Sequence, residues 1–230
     1  MGVSSSYDGT IKVWNLASGQ ELYTLNVPSR AKAIMVTPDG SMVLVDNFGT
    51  ITLLDLASAQ ELYTLRGYEH WHFSDITAAA ITITNDGSRL VSALKRIINV
   101  WDLASGQELH TLRGHFSDIT VVRVTNDSSR VVSGFSDGSI KVWDLGSGQE
   151  LYSFSGHSSD ITAITLTNDG SRVVSASKDH TLKVWDLTTG LLLASLNLDA
   201  SIKCCAVAPD GQTIVAGDEG GMVHFLRLEM

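Results

Sequence analysis

Apolar positions along the chain fall in short β-branched runs separated by turn residues, with no stretch at helical spacing. The cleanest unit spans 156–196. Ile161-Thr-Ala-Ile-Thr-Leu-Thr167 has the length and composition of a strand. Asn168-Asp-Gly-Ser171 then turns the chain, with Gly170 free to take a positive φ. Arg172–Ser177 and Thr181–Asp186 predict two further strands, joined at Lys178-Asp179-His180. Thr189-Gly190 turns into a fourth at Leu191–Leu196. Four short strands with tight turns predict an antiparallel meander, and an all-β chain.

The unit repeats. Trp101-Asp102, Trp143-Asp144 and Trp185-Asp186 are 42 residues apart. Trp14-Asn15 lies upstream, and weaker copies sit at Leu54-Asp55 and Leu226-Arg227. A period of about 40–50 residues marks a repeat architecture. One four-stranded sheet cannot bury both faces alone, whereas sheets stacked radially bury a continuous core.

Composition narrows the setting. The chain has 230 residues, 43% of them apolar, enough for a large core. No apolar run reaches the length of a membrane span. The first residues lack the charged and apolar regions of a signal peptide. Gly2 and Ser6 have the spacing of a myristoylation signal, but Val3–Ser6 reads better as part of a repeat. A cytoplasmic protein without membrane contact is expected. The net charge of −9, with no Lys/Arg cluster, disfavours nucleic acid. Adjacent Cys204 and Cys205 point to opposite faces of a strand and are read as reduced thiols.

The repeat that ends Val-Trp-Asp-Leu-Ala-Ser-Gly-Gln-Glu-Leu at 100–109 resembles the WD40-repeat family of β-propellers, over essentially the whole chain. The resemblance implies one propeller domain over 1–230. Its blades are expected near 1–25 (partial), 26–65, 66–112, 113–154, 155–196 and 197–230 (partial). It also implies a buried His–Ser/Thr–Asp–Trp tetrad in each intact blade. His157, Ser175, Asp179 and Trp185 fit that pattern, as do His115, Ser133, Asp137 and Trp143. Ser4, Asp8 and Trp14 match three of the four positions. A His/Ser/Asp set could be mistaken for a hydrolase triad, but the indole and the repetition argue against catalysis.

Three blades depart from the pattern. In 66–112 the Asp position reads as Arg96, with Ser92 and Trp101 kept, so that blade is expected to be strained or rearranged. In 26–65, Leu44, Phe48 and Leu54 fill the Ser, Asp and Trp positions, and in the last repeat Ala216, Gly220 and Leu226 do so. Replacing a whole polar network by apolar groups can be nearly neutral. Gly40, Gly87, Gly170 and Gly211 close the first hairpin of four repeats, and Ser128 replaces the glycine in the fifth.

The first blade reads as lacking its inner strand and the last its outer one, giving about 22 strands, against about 28 in a ring of seven four-stranded blades. An open, truncated arc of six blades is the expectation. A six-bladed ring and a five-bladed ring closed by residues 21–25 remain alternatives. Open edges would invite pairing with another chain, including a second copy.

Two surfaces are candidates for binding. In such propellers the second hairpin turn lies on the face usually used for partners. The residue before the Asp slot there is Tyr7, Asn47, Lys95, Ser136, Lys178 or Glu219. An insertion in 66–112 brings Tyr68, Glu69, His70 and Trp71 toward Lys95 and Arg96 on the same face, and aromatic and cationic side chains are frequent hot spots. His70 and His72 are weak evidence for a metal. On the opposite face Glu21, Glu61, Glu108 and Glu150 recur, and read best as solvated turn residues.

No phosphate loop, nucleophile elbow or metal quartet occurs. The expectation is a non-enzymatic module without cofactor or metal that binds a protein or peptide. The alternative is a structural piece that assembles through open blade edges. The stretch Cys204–Glu229 is similar to the last repeat of bacterial WD40 arrays that end NACHT- or NB-ARC-type signalling ATPases, in which the propeller is a sensor.

Overall fold

In the computed structural model, residues 1–6, 8–26, 33–47, 50–58, 60–66, 80–113 and 116–228 are described. They form 22 strands in six antiparallel sheets, each an in-order meander. The first sheet holds β1 (Gly2–Ser5), β2 (Thr10–Trp14) and β3 (Glu21–Asn26). The second holds β4 (Ala33–Val36), β5 (Met42–Asn47), β6 (Thr50–Asp55) and β7 (Glu61–Arg66). The third comprises β8 (Ala80–Ile83), β9 (Arg89–Leu94), β10 (Ile97–Asp102) and β11 (Glu108–Leu112). The fourth runs through β12 (Ile119–Val124), β13 (Arg130–Phe135), β14 (Ser139–Asp144) and β15 (Glu150–Ser155). The fifth contains β16 (Ile161–Leu166), β17 (Arg172–Ser177), β18 (Thr181–Asp186) and β19 (Leu192–Asn197). The sixth has β20 (Ile202–Val207), β21 (Thr213–Asp218) and β22 (Val223–Arg227).

Each sheet buries one face against the next in chain order. Ile11, Val13 and Leu25 of the first meet Val43, Val45 and Leu54 of the second. Leu44, Ile51 and Leu53 of the second meet Leu90, Trp101 and Leu103 of the third. Val91, Ile98 and Val100 pack with Val122, Phe135 and Trp143. Val132, Ile140 and Val142 pack with Ile161, Ile164 and Trp185. Val174, Ala176, Leu182 and Val184 of the fifth meet Ile202, Ile214 and Ala216 of the sixth. Each fully buried side chain of this size contributes about 1.5–3 kcal/mol. Among the described residues no cluster joins the sixth sheet to the first, so the arc is not closed.

The Trp-Asp dipeptide has a distinct job at each residue. The indoles of Trp101, Trp143 and Trp185 are 6%, 2% and 3% exposed, and each is buried against the preceding sheet. The register shifts at each Trp, a bulge that sets Trp14, Trp101 and Trp143 opposite a glutamate of the outer strand and Trp185 opposite Leu192. The Asp caps the turn that follows. Asp144 Oδ1 accepts from the Ser147 N–H and hydroxyl, and Gly148 takes φ 71°. Ser128 stands at φ 59° where the equivalent glycines are at 68–72°.

One expectation changes. The 66–112 blade does not place Arg96 in an otherwise intact turn. Its Ser92-to-Trp101 interval is nine residues, against ten from Ser175 to Trp185. The second hairpin is therefore a two-residue turn, Lys95-Arg96, with Leu94 paired to Ile97 and Lys95 at φ 51°. The shortening removes the Asp slot rather than filling it with a cation.

Candidate functional site

The fifth sheet contains the full polar network. Ser175 in β17 is fully buried, and its Oγ accepts from the Trp185 Nε1–H at 2.8 Å. It lies 2.7 Å from His157 Nε2, and His157 Nδ1 lies 3.0 Å from Asp179 Oδ2. A neutral imidazole protonated at Nδ1 satisfies the whole chain: indole to hydroxyl, hydroxyl to Nε2, Nδ1–H to carboxylate. Burial pushes the His157 pKa down, against the pull of Asp179. Burial alone would raise the Asp179 carboxyl. Hydrogen bonds from Thr181 and from the backbone of Ser158 and Thr181, with His157 beside it, hold it at about 2.

Ser, His and Asp thus have triad connectivity, but a nucleophile needs an accessible hydroxyl. Ser175 is sealed by the indole and by its sheet neighbours, so the set ties strands together instead. Elsewhere the described residues of the fourth, third and first sheets show one bond of it each. Trp143 donates to Ser133 at 3.0 Å, Trp101 to Ser92 at 3.0 Å and Trp14 to Ser4 at 2.9 Å. Asp137 and Asp8 are exposed and cap their own turns through Ser139 and Thr10. The second and sixth sheets use apolar substitutes, with Val45, Leu54 and Ala216 buried. Leu44, expected in the Ser place, pairs with Leu53 and packs toward the third sheet, while Val45 opposite Thr52 takes that place.

Asparagines at the first-hairpin turns link neighbouring sheets, which the sequence reading missed. Asn85 Nδ2 donates to Asn126 O at 3.0 Å, Asn126 Nδ2 to Asn168 O at 2.8 Å, and Asn168 Nδ2 to Pro209 O at 2.7 Å. Ser128 Oγ also accepts from the Asn85 N–H at 3.1 Å, which gives this side chain a purpose at its left-handed position. At the outer strands, Tyr23, Tyr63 and Tyr152 donate to the carbonyls of Leu56, Leu103 and Leu187 in the following sheet. His110 stands in for the tyrosine, with Nε2 3.0 Å from Gly146 O. The repeated glutamates are engaged locally: Glu21 with Lys12, Glu150 with Lys141 at 2.7 Å, Glu61 with Thr64 at 2.6 Å, and Glu108 with Thr111.

The candidate partner face is built from the second hairpin turns and the loops that enter the inner strands. Backbone bonds fix their pairing. Ile119 N–H donates to Lys95 O at 2.6 Å, Ser136 N–H to Asp118 O at 2.9 Å, Lys178 N–H to Asp160 O at 3.0 Å, and Glu219 N–H to Ser201 O at 2.8 Å. Lys178 pairs with Asp160 at 2.7 Å and Lys203 with Glu219 at 3.1 Å. Arg96, 60% exposed, lies 3.5 Å from Asp118. Two residues before Asp118, Phe116 is 94% exposed, the most exposed aromatic in the described chain. The sequence signal is weak, since the next repeat carries Ser158 at this position and the preceding one Phe73. Tyr7, Tyr68, Glu69, His70, Trp71, His72 and His115 lie outside the described residues, as do Phe48 and the side chain of Asn47. Among the described residues no cluster of metal-ligating side chains occurs, and no helix is long and apolar enough to cross a membrane.

Comparison with known proteins agrees with this architecture. The family model described as WD domain, G-beta repeat, matches residues 3–15 and 106–144, and the model described as TEP-1 C-terminal beta-propeller matches 157–228. No curated protein matches the chain. Among solved structures, the computationally designed Ika8 protein is similar at 34% identity and a TM-score of 0.82, over 98% of this chain and 67% of that one. With its repeated Trp-Asp strands, buried tetrad and serially stacked sheets, the chain belongs to the WD40-repeat β-propeller family.

Proposed function

We propose that the chain is a non-enzymatic protein-interaction module, and that it engages a protein or peptide through the face formed by Lys95, Arg96, Phe116, Ser136, Lys178 and Glu219. The observation that carries this reading is Phe116. A phenyl ring left 94% exposed gives up the burial that would otherwise stabilise it, and it lies two residues before Asp118, which pairs with the exposed Arg96. Scaffold positions repeat from sheet to sheet while the turn residues of this face differ, which suits a surface that selects one partner. A partner segment offering a carboxylate to Lys95 and Arg96, and an apolar side chain to Phe116, fits it best. The proposal extends to the inserted Tyr68–Trp71, on their place in the sequence alone. The sensor role of an upstream nucleotide-binding switch, in a cytoplasmic bacterial protein, is the narrower form of this reading; its support is the likeness of residues 204–229 alone.

Phe116→Ala and Arg96→Ala test it. Both side chains are exposed, so the stability should stay within about 0.5 kcal/mol of wild type. Partner binding should fall by roughly tenfold or more for each. Unchanged binding in both variants refutes the assignment of this face.

A further inference from the structure

The sixth sheet presents a second, chemically different surface. Register equivalence identifies it. In the fifth sheet Val174 pairs with Val184 and Ala176 with Leu182, and all four are buried under the sixth sheet. In the sixth sheet Val215 pairs with Phe225 and Gly217 with Val223 in the same pattern. Yet Val223 is 57% and Phe225 74% exposed, with Met222 beside them at 63%.

The first sheet shows the complementary half. Leu56, Leu103, Leu145 and Leu187 follow the third strand of their sheets and are at most 3% exposed. Leu16 holds the same place and is 72% exposed. Trp14 keeps its bond to Ser4 but is only half-buried, whereas Trp101, Trp143 and Trp185 are buried against a preceding sheet. Five times within the chain, an aliphatic face receives the Trp or Leu side of the next sheet.

We propose that the outward face of the last sheet docks the first sheet of a second copy of this chain, Phe225 and Val223 packing on Trp14 and Leu16. The contact continues the interface that already joins every neighbouring pair of sheets. It is head-to-tail, so copies add in one direction and form rings or short filaments. The Gly217 end of the seat stays uncovered, because in the other sheets it receives the isoleucines of an inner strand, such as Ile161 and Ile164 beside Gly134. A smaller contact of this kind makes association dependent on concentration. It lies apart from the Phe116 face and does not rest on the partner proposed there.

Light scattering after size exclusion, across a hundredfold range of concentration, tests it. Wild type should grow from monomer to dimer and larger species. Leu16→Asp and Phe225→Asp replace exposed side chains, and circular dichroism should confirm that each stays folded. Each alone should remain monomeric. An equimolar mixture of the two should form dimers and nothing larger, because Leu16→Asp keeps an intact last sheet and Phe225→Asp an intact first sheet. Wild type that stays monomeric, single variants that still oligomerise, or a mixture that stays monomeric would each overturn the proposal. Oligomers blocked by a proline in β22 but by neither aspartate would overturn it too, because edge pairing would then replace face packing.

Discussion

Removing the hydroxyl of Ser175 should cost more than removing that of Ser92, although the two serines occupy equivalent strands. Ser175→Ala orphans two buried partners at once. Trp185 Nε1–H loses its acceptor and His157 Nε2 its donor, in a site where the three side chains are 0–6% exposed. Each buried unsatisfied group costs about 1–3 kcal/mol. Allowing for relaxation, the loss is about 2–4 kcal/mol. Among the described residues Ser92→Ala orphans the Trp101 N–H alone, so about 1–2 kcal/mol is expected. Neither change opens much of a cavity, since the Cβ remains. Urea unfolding gives the two values. Because a repeat array can lose all-or-none behaviour, amide exchange in β17 and β9 should be read alongside. A loss for Ser175→Ala no larger than that for Ser92→Ala would refute the view that the network is satisfied end to end.

Other outcomes follow from the same geometry. Gly138→Ala should destabilise by about 3 kcal/mol or more, since φ is 82° and a Cβ would lie 2.4 Å from His157 O; Gly170→Ala, at φ 68° with open space around it, should cost only about 1–2 kcal/mol. Both are measurable by urea titration, and equal losses would refute the close approach. Asp39, Asp127, Asp169, Asp179 and Asp210 are held at about 2 by turn hydrogen bonds, so their contribution is present above about pH 4 and is lost as pH falls toward 2. His157, with its pKa lowered from 6.5, contributes stability present above about pH 6.5, which begins to fade below it as the unfolded chain takes up the proton first. A thermal midpoint followed from pH 8 to 2 should therefore hold at the alkaline end, decline gently below pH 6.5 and drop steeply below pH 4. Finally, iodoacetamide should modify exposed Cys204 in the native protein and leave Cys205, its thiol pushed up to about 12 by burial, until the chain unfolds; mass spectrometry after each step checks this.

The β-branched runs and turn glycines made the strands legible to within a residue or so. Ile161–Leu166 and Leu192–Asn197 differ from the expected bounds only at their ends. The polar network was legible where four residue types recur at one spacing, as in His157, Ser175, Asp179 and Trp185. It was less so at Asp8 and Asp137, because exposure depends on what covers the turn and not on the identity of the residue. The Lys95-Arg96 turn was misread because a deletion looks like a substitution when residues are counted from the serine. The asparagine ladder was hidden for a different reason: each donor and acceptor are 41–42 residues apart, and the bond exists only once neighbouring sheets stack. Phe116 was not legible in the sequence, because this position reads Phe73 in the preceding repeat and Ser158 in the next, and only the structure shows the ring exposed.

The most direct test of the central claim, that recognition belongs to one face, is photo-crosslinking from a benzoylphenylalanine placed at position 116 and, separately, at Leu151 in the outer strand β15, which is 43% exposed. The account expects a discrete crosslinked partner from position 116, competed by the unlabelled wild-type chain and absent from position 151. Crosslinks to the same partner from both positions, or from position 151 alone, would contradict it.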